Sequence, residues 1–296
     1  MENLLSILLF ILHALFRQHN QEAMKLTTTL TAGLSMANTV ASTPIVKRDD
    51  ELLLSHETPS NATADQKGHH EISYNWAGAV LKGSDFRTVT GTFVVPEVIL
   101  PADAHLHKDY GASAWVGLDG SKSGCRGVVM QTGLSMHTQN GTLEYHAWYQ
   151  WYPNRNHKFS HMQITPGDSV TLTITASSES SGTFIIDNNT KKTSVNHTSV
   201  DRTPHLCRTG AEWIVEDFSM KQRRIPFADF GSVTFTNASA ITGDGTRFGP
   251  AGASLVDMLA GGRSNRFFLT NVTVDDSSVS VVYDKRPEEG NKGPFV

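Results

Sequence analysis

The chain has 296 residues, with 25 lysines and arginines against 29 aspartates and glutamates, a formal charge of −4 and a pI near 6.3. It has no basic excess with which to neutralise phosphates, which argues against nucleic acid as a partner. Charged residues are only 18% of the chain, which suits a surface exposed to large changes of pH, and no apolar run reaches the roughly 20 residues of a membrane-spanning helix.

Two apolar runs open the chain, Leu4 to Phe16 and a second beginning at Met24-Lys25-Leu26. The second has the form of a secretory signal: a lysine, a Thr/Leu/Ala stretch, and small residues at Thr39 and Ala41. This predicts a signal peptide over residues 24–41, with 1–23 an upstream extension of the gene model or part of the leader. Leu4 to Phe16 is the alternative apolar segment. Lys47-Arg48 then precedes Asp49-Asp50-Glu51 in a polar segment that reaches His69-His70. A dibasic step after a signal predicts a propeptide over 42–70, the plain alternative being a solvated charged linker. Asp49, Asp50, Glu51 and Glu57 suggest that this leader holds the mature domain through ion pairs that protonation releases. Sequons at Asn61, Asn140, Asn188, Asn196, Asn237 and Asn271 fit a secreted, extracellular glycoprotein.

From Tyr74 onward, short β-branched and aromatic runs alternate with Gly, Ser, Asn and Asp at intervals of about ten residues, the pattern of a sandwich or barrel. The predicted strands are Thr88 to Val95, Ser113 to Leu118, Val128 to Leu134, Leu143 to Tyr152, Ser169 to Ala176 and Thr183 to Asp187. Glu212 to Phe218, Ser232 to Thr236, Phe267 to Val274 and Val279 to Tyr283 complete the series. Val170 to Thr175 alternates strictly, so one face is buried and the other wet. No helical period lasts beyond two turns, and no repeat or second domain is visible. The reading is all-β: one domain over 71–284, monomeric, followed by a loose tail at 285–296. About 220 residues without the leaders suffice for a two-layer core.

Cys125 and Cys207 are the only cysteines. An oxidising compartment predicts that they pair, closing a loop worth roughly 4–5 kcal/mol in the chain-entropy description. Each stands shortly before a polar residue in an apolar run, Gln131 in Val128 to Gly133 and Glu216 in Ala211 to Phe218. A bridge would bring that amide and that carboxylate into one neighbourhood. Between them lies Trp148-Tyr149-Gln150-Trp151-Tyr152-Pro153. Because side chains alternate along a strand, two of its four aromatics must leave the core and line a cleft or an exposed face.

Several chemistries are set aside by spacing. Glu212 and Glu216 share a strand face about 13 Å apart, beyond the roughly 5–9.5 Å of glycosidase acid pairs. Gly133-Leu134-Ser135-Met136-His137 is not a nucleophile elbow. His157 and His161 lack the acid of a zinc-peptidase helix. Asp119-Gly120-Ser121 and Asp244-Gly245-Thr246 lack the order of paired-aspartate peptidases. A carboxylate assisted by a neutral amide remains.

Asn75-Trp76-Ala77-Gly78-Ala79, Ala114 to Gly120, Met130-Gln131-Thr132-Gly133, Trp148 to Pro153, Pro166-Gly167-Asp168 and Ala211 to Phe218 occur in the order seen in the glutamic peptidases, or eqolisins. The chain resembles that family over nearly all of Tyr74 to Tyr283, with both cysteines placed alike. The resemblance implies a secreted acid endopeptidase made as a proenzyme. It implies an antiparallel two-sheet β-sandwich of the concanavalin or lectin-like jelly-roll type, with about seven strands in each sheet. It also implies a catalytic dyad of Gln131 and Glu216, with Glu212 the less favoured glutamate, and substrate contacts at Trp76, Trp115, Asp119, Trp148, Tyr149, Tyr152 and Phe218. Partners are protein or peptide substrates, and no cofactor, metal or membrane is called for. Two positions depart from the pattern: Gln150 replaces a glutamate, and His146 stands where an acid is common. The alternatives are a carbohydrate-binding sandwich whose aromatics stack on sugars, and a catalytically inactive homologue.

Overall fold

The structure, a computed structural model, describes residues 70–99, 109–121, 125, 127–139, 142–220, 223–261 and 266–284, all within the compact unit Asp50–Val296. The expected signal peptide, nearly all of the expected propeptide and the tail lie outside the described residues. Every regular element among those described is a strand. In chain order these begin with β1 (His70–Ser73), β2 (Trp76–Lys82), β3 (Phe86–Val94), β4 (Gly111–Leu118), β5 (Val129–Gln139) and β6 (Thr142–Tyr152). There follow β7 (His157–Lys158), β8 (Ser169–Ala176), β9 (Gly182–Asn188), β10 (Thr193–Ser199), β11 (Gly210–Glu216), β12 (Ser219–Met220) and β13 (Arg223–Arg224). The last are β14 (Ser232–Thr242), β15 (Arg247–Phe248), β16 (Ser254–Ala260), β17 (Phe267–Phe268), β18 (Thr270–Val274) and β19 (Val279–Tyr283).

Two sheets stack. The first runs β1-β16-β2-β11-β4-β5-β6-β7 with β17 beside β16, and the second runs β10-β9-β8-β3-β14-β19-β18 with β15 beside β14. Setting aside the two-residue strands β7, β17 and β15 leaves seven strands in each sheet, as the resemblance implied. Among these strands only β1 and β16 pair in parallel. β1 begins at His70, so the expected boundary between propeptide and domain falls inside this strand, whose first residue pairs with Asp257 at 2.9 Å.

Alternation builds the core. β8 buries Val170, Leu172, Ile174 and Ala176 and turns Ser169, Thr171, Thr173 and Thr175 outward. The outward threonines meet those of β3 in the cross-strand pairs Thr88–Thr175, Thr90–Thr173 and Thr92–Thr171, hydrogen bonds that stabilise the pairing of polar faces. β4 and β2 are buried on both faces. Their low polarity therefore reports a central strand covered on each side. β2, β10 and β16 were not foreseen, each for a local reason. β2 is rich in Ala and Gly, which have weak strand preference. β10 is a polar edge strand, and β16 has helix-favouring Leu, Met and Ala.

Two devices fix β11 in the middle of the first sheet. Fully buried Trp213 sends its indole N–H across the sandwich to the Thr90 carbonyl at 2.8 Å. At the other device, Asp119, 1% exposed, accepts backbone N–H bonds from Cys207, Arg208, Thr209 and Gly210 at 2.8–3.2 Å. The Cys125–Cys207 disulfide, with Cα atoms 5.6 Å apart, ties down the same segment. Elsewhere an acid-resistant ion pair joins Asp168 to Lys191 at 2.8 Å. Burial opposes ionisation of Asp168, but Lys191, the Thr165 amide and Asn188 outweigh it and bring the carboxyl down to about 2. Its folded pKa is depressed, so its stabilisation is present above the unfolded value and is lost only as pH falls through about 2.

Replacing Asp119 by alanine removes the acceptor of four backbone donors, of which Gly210 is buried and the other three lie at the edge of the interior. Urea unfolding with the disulfide intact should show a loss of about 2–4 kcal/mol. A change within error would mean that the bridge alone holds the loop.

Candidate active site

In an antiparallel ladder, paired residues project to the same face. β11, β4, β5 and β6 lie side by side, and three rows cross them. Glu212 pairs with Gly117, Gly117 with Gln131, and Gln131 with Gln150. Ile214, Trp115, Gly133 and Trp148 form the next row, and Glu216, Ser113, Ser135 and His146 the third. β2 adds Trp76 opposite Glu216. Gln131 and Glu216 thus share the outer face of the first sheet, while Ala211, Trp213 and Val215 fill the core on the other side.

This face, termed the groove face, carries a cluster of aromatic rings. Trp115 and Trp148 are buried with Val80, Val129, Ile214 and Val256, and the half-buried Trp76 and Tyr152 pack on them. Trp76 meets Trp115 edge-on, with ring centroids 5.0 Å apart. Trp115 can lie flat because its neighbours are glycines. A Cβ on Gly117 would come within 2.7 Å of the Trp115 ring, and one on Gly133 within 2.5 Å of the Trp115 Cβ. The Trp115 indole Nε1–H donates to Glu216 Oε2 at 2.9 Å and orients that carboxyl. Gln131 Nε2 donates to Gln150 Oε1 at 2.8 Å, and Gln150 Nε2 donates to the Asn154 carbonyl at 2.8 Å. An amide has two N–H donors, so the bond to Gln150 fixes Gln131 and leaves its second N–H for chemistry.

The two glutamates of β11 differ sharply in environment. Glu216 is half-buried, whereas Glu212 is completely enclosed. Neither Glu212 oxygen has a hydrogen-bond partner of good geometry among the described residues. Burial first, then the Asp119 charge and that of Glu216, push the Glu212 carboxyl well above its ordinary value, and the Ser121 amide offsets this only in part. A neutral, enclosed acid cannot reach a substrate, although Glu212 is the glutamate in register with Gln131.

Of the expected substrate contacts, the sheet brings Trp76, Trp115, Trp148 and Tyr152 onto the face of Gln131 and Glu216, and Phe218 sits beside His137 with ring centroids 6.2 Å apart. Two positions have other surroundings. Asp119 spends its carboxylate on the 207–210 backbone and is closed to solvent. Tyr149 has the opposite parity to Trp148; it packs on Phe184 and stacks on His197 at 4.2 Å, in a recess at the β7 edge that holds neither Gln131 nor Glu216. Trp151 likewise turns inward and donates to the Pro204 carbonyl. So two of the four clustered aromatics face the groove, as alternation requires. The Trp115–Glu216 and Gln131–Gln150 bonds were not read from sequence; period-two counting along β4 to β6 was the available signal.

Glu212 supplies a test through linkage. Its folded pKa is raised, so the unfolded chain loses this proton near 4.5 while the folded chain keeps it. Stability tied to this group is full below that pH and falls as pH rises above it. Glu212→Gln mimics the protonated form. It should leave the thermal midpoint unchanged at acid pH and raise it by several degrees at neutral pH, equivalent to about 1–3 kcal/mol. Calorimetry across the pH range checks this, and an equal shift at every pH would contradict it.

Residues 74–283 match the sequence profile of the peptidase A4 family. Aspergillopepsin-2 of Aspergillus niger is 41% identical over 230 residues, covering 73% of this chain and 79% of that protein. Scytalidopepsin B of Scytalidium lignicola is 34% identical over 220 residues, covering 72% and 78%. Among solved structures, scytalido-glutamic peptidase with a transition-state analogue inhibitor superposes with a TM-score of 0.62 at 32% identity, covering 71% of this chain and 98% of that one. Aspergilloglutamic peptidase from Aspergillus niger gives 0.55 at 44% identity, covering 59% and 99%. With the profile spanning β2 to β19 and a relative 41% identical over most of its length, the chain belongs to the peptidase A4 family, the glutamic peptidases.

Proposed function

We propose that this glutamic-type endopeptidase hydrolyses protein substrates outside the cell in acid, with Glu216 as general base and acid and Gln131 as oxyanion donor. The observation that carries the reading is the shared face: a carboxyl oriented by the Trp115 indole and an amide oriented by Gln150, both on one aromatic face of the sheet.

Glu216 as carboxylate takes a proton from a water set against the scissile carbonyl, and the resulting hydroxide adds to the carbonyl carbon. Gln131 N–H donates to the oxygen as it gains charge. Glu216 then returns the proton to the leaving nitrogen as the C–N bond breaks. Glutamine does not titrate, so Glu216 is the essential base. A glutamate of ordinary pKa, about 4.3, is still partly ionised in moderate acid. Trp115 acts as a positioning residue, and Trp76, Trp148, Tyr152 and Phe218 offer apolar surface to an extended peptide. The leader of residues 42–70, the signal of 24–41 and extracellular release complete the proposal, and the disulfide fits that compartment.

Denatured protein should be cleaved at about pH 3–4 by the acid-treated chain. Glu216→Gln should abolish cleavage, and Gln131→Ala should lower kcat by about 10²- to 10³-fold, each with an unchanged thermal transition. Full activity in Glu216→Gln would sink the dyad, and glycan binding without hydrolysis would favour a lectin-like role. Trp115→Phe keeps an aromatic side chain, smaller than the indole, and removes the donor. It should lower kcat by at least about tenfold with little effect on KM, as expected for loss of an interaction that serves the transition state.

A further inference from the structure

Beyond the dyad, the same face carries a second group of polar side chains. His137 of β5 pairs with Glu144 of β6, and His146 follows two residues along β6, so the period of two puts all three on the groove face. One ligand atom from each lies within 4.8 Å of the others. His137 is 1% exposed, and neither of its ring nitrogens has a hydrogen-bond partner among the described residues. A buried imidazole in that condition carries an uncompensated desolvation cost. Glu144 and His146 are partly exposed and meet at 2.8 Å, which leaves the cluster open to solvent on one side.

We infer that His137, Glu144 and His146 form a binding site for one divalent transition-metal ion of the zinc class, on the groove face and apart from Gln131 and Glu216. Two imidazoles and one carboxylate are a three-ligand set that zinc accepts while keeping a fourth position for water. Imidazole donors favour zinc, copper or nickel over magnesium or calcium. Burial, then the neighbouring His146 and Lys158, hold the His137 pKa below its ordinary value, with Glu144 and Asp109 opposing. Neutral imidazole, with one lone pair, is the form that binds a metal. Binding gives one of its two bare nitrogens a partner. The bland alternative is a structural histidine that only packs, against His146 at 5.2 Å and Phe218 at 6.2 Å.

Zinc chloride titrated into the full chain at neutral pH, followed by calorimetry, should show one equivalent bound in the micromolar range. Cobalt substitution should give the visible absorption of a four-coordinate centre. His146→Ala and Glu144→Gln change partly exposed side chains and so spare the fold. Each should weaken binding by at least about tenfold, as should His137→Ala wherever its thermal transition is retained. His157→Ala and His197→Ala, at the Tyr149 recess, should leave binding unchanged. No zinc uptake at millimolar concentration, or uptake indifferent to both His146→Ala and Glu144→Gln, overturns the site and returns His137 to a packing role.

Discussion

Everything on the groove face depends on the register of β11. Its odd positions send Trp213 and its small neighbours into the core, and its even positions send Glu212, Ile214 and Glu216 outward. A slip of one residue would exchange the two sets, turning both carboxylates into the sandwich core and Trp213 out of it. Three constraints act against that slip: the indole bond to Thr90 across the sandwich, the four amides gathered by Asp119, and the Cys125–Cys207 bridge beside them. Asp119 therefore fixes the start of the strand that carries Glu216. Its place in an ordered motif reflects the geometry of the strand that follows Cys207.

One strand gives two identical side chains different chemical characters. Glu212 and Glu216 share a face, yet the first is sealed under the sheet's aromatic layer and keeps its proton, whereas the second is half-open and held by an indole. Environment decides such assignments more than residue type does. The proposed role of Glu216 rests on access and orientation, and the exclusion of Glu212 rests on its enclosure. Keeping a buried glutamic acid neutral costs little in acid and more at neutral pH, which suits a protein whose work is done in acid.

Much of this was legible in the sequence. Strict alternation in β8 exposed the two-faced sheet, the aromatic run in β6 had to split between faces, and the motif order gave the sandwich and its paired cysteines. What escaped reading had local causes. β2, β10 and β16 owe their state to neighbouring strands rather than to their own residues. The motif strings around Tyr149 and Asp119 do not say which side of a strand is wet, so the stacking of Tyr149 on His197 and the amides held by Asp119 were visible only in the structure. His137 lay six residues beyond Gln131, on the same parity, but its partners are on another strand, and cross-strand register is set by the hairpin as a whole.

The bond from Gln131 to Gln150 and on to the Asn154 carbonyl is a relay with a fixed polarity, each amide nitrogen giving to the next oxygen. No member of that relay can gain or lose a proton in the range where proteins survive. The direction in which Gln131 presents its nitrogen is consequently insensitive to acidity, and it is anchored in the turn after the β6 aromatics. In the mechanism proposed above, the oxyanion donor is wired like a backbone amide, so the acid limit of catalysis originates at Glu216.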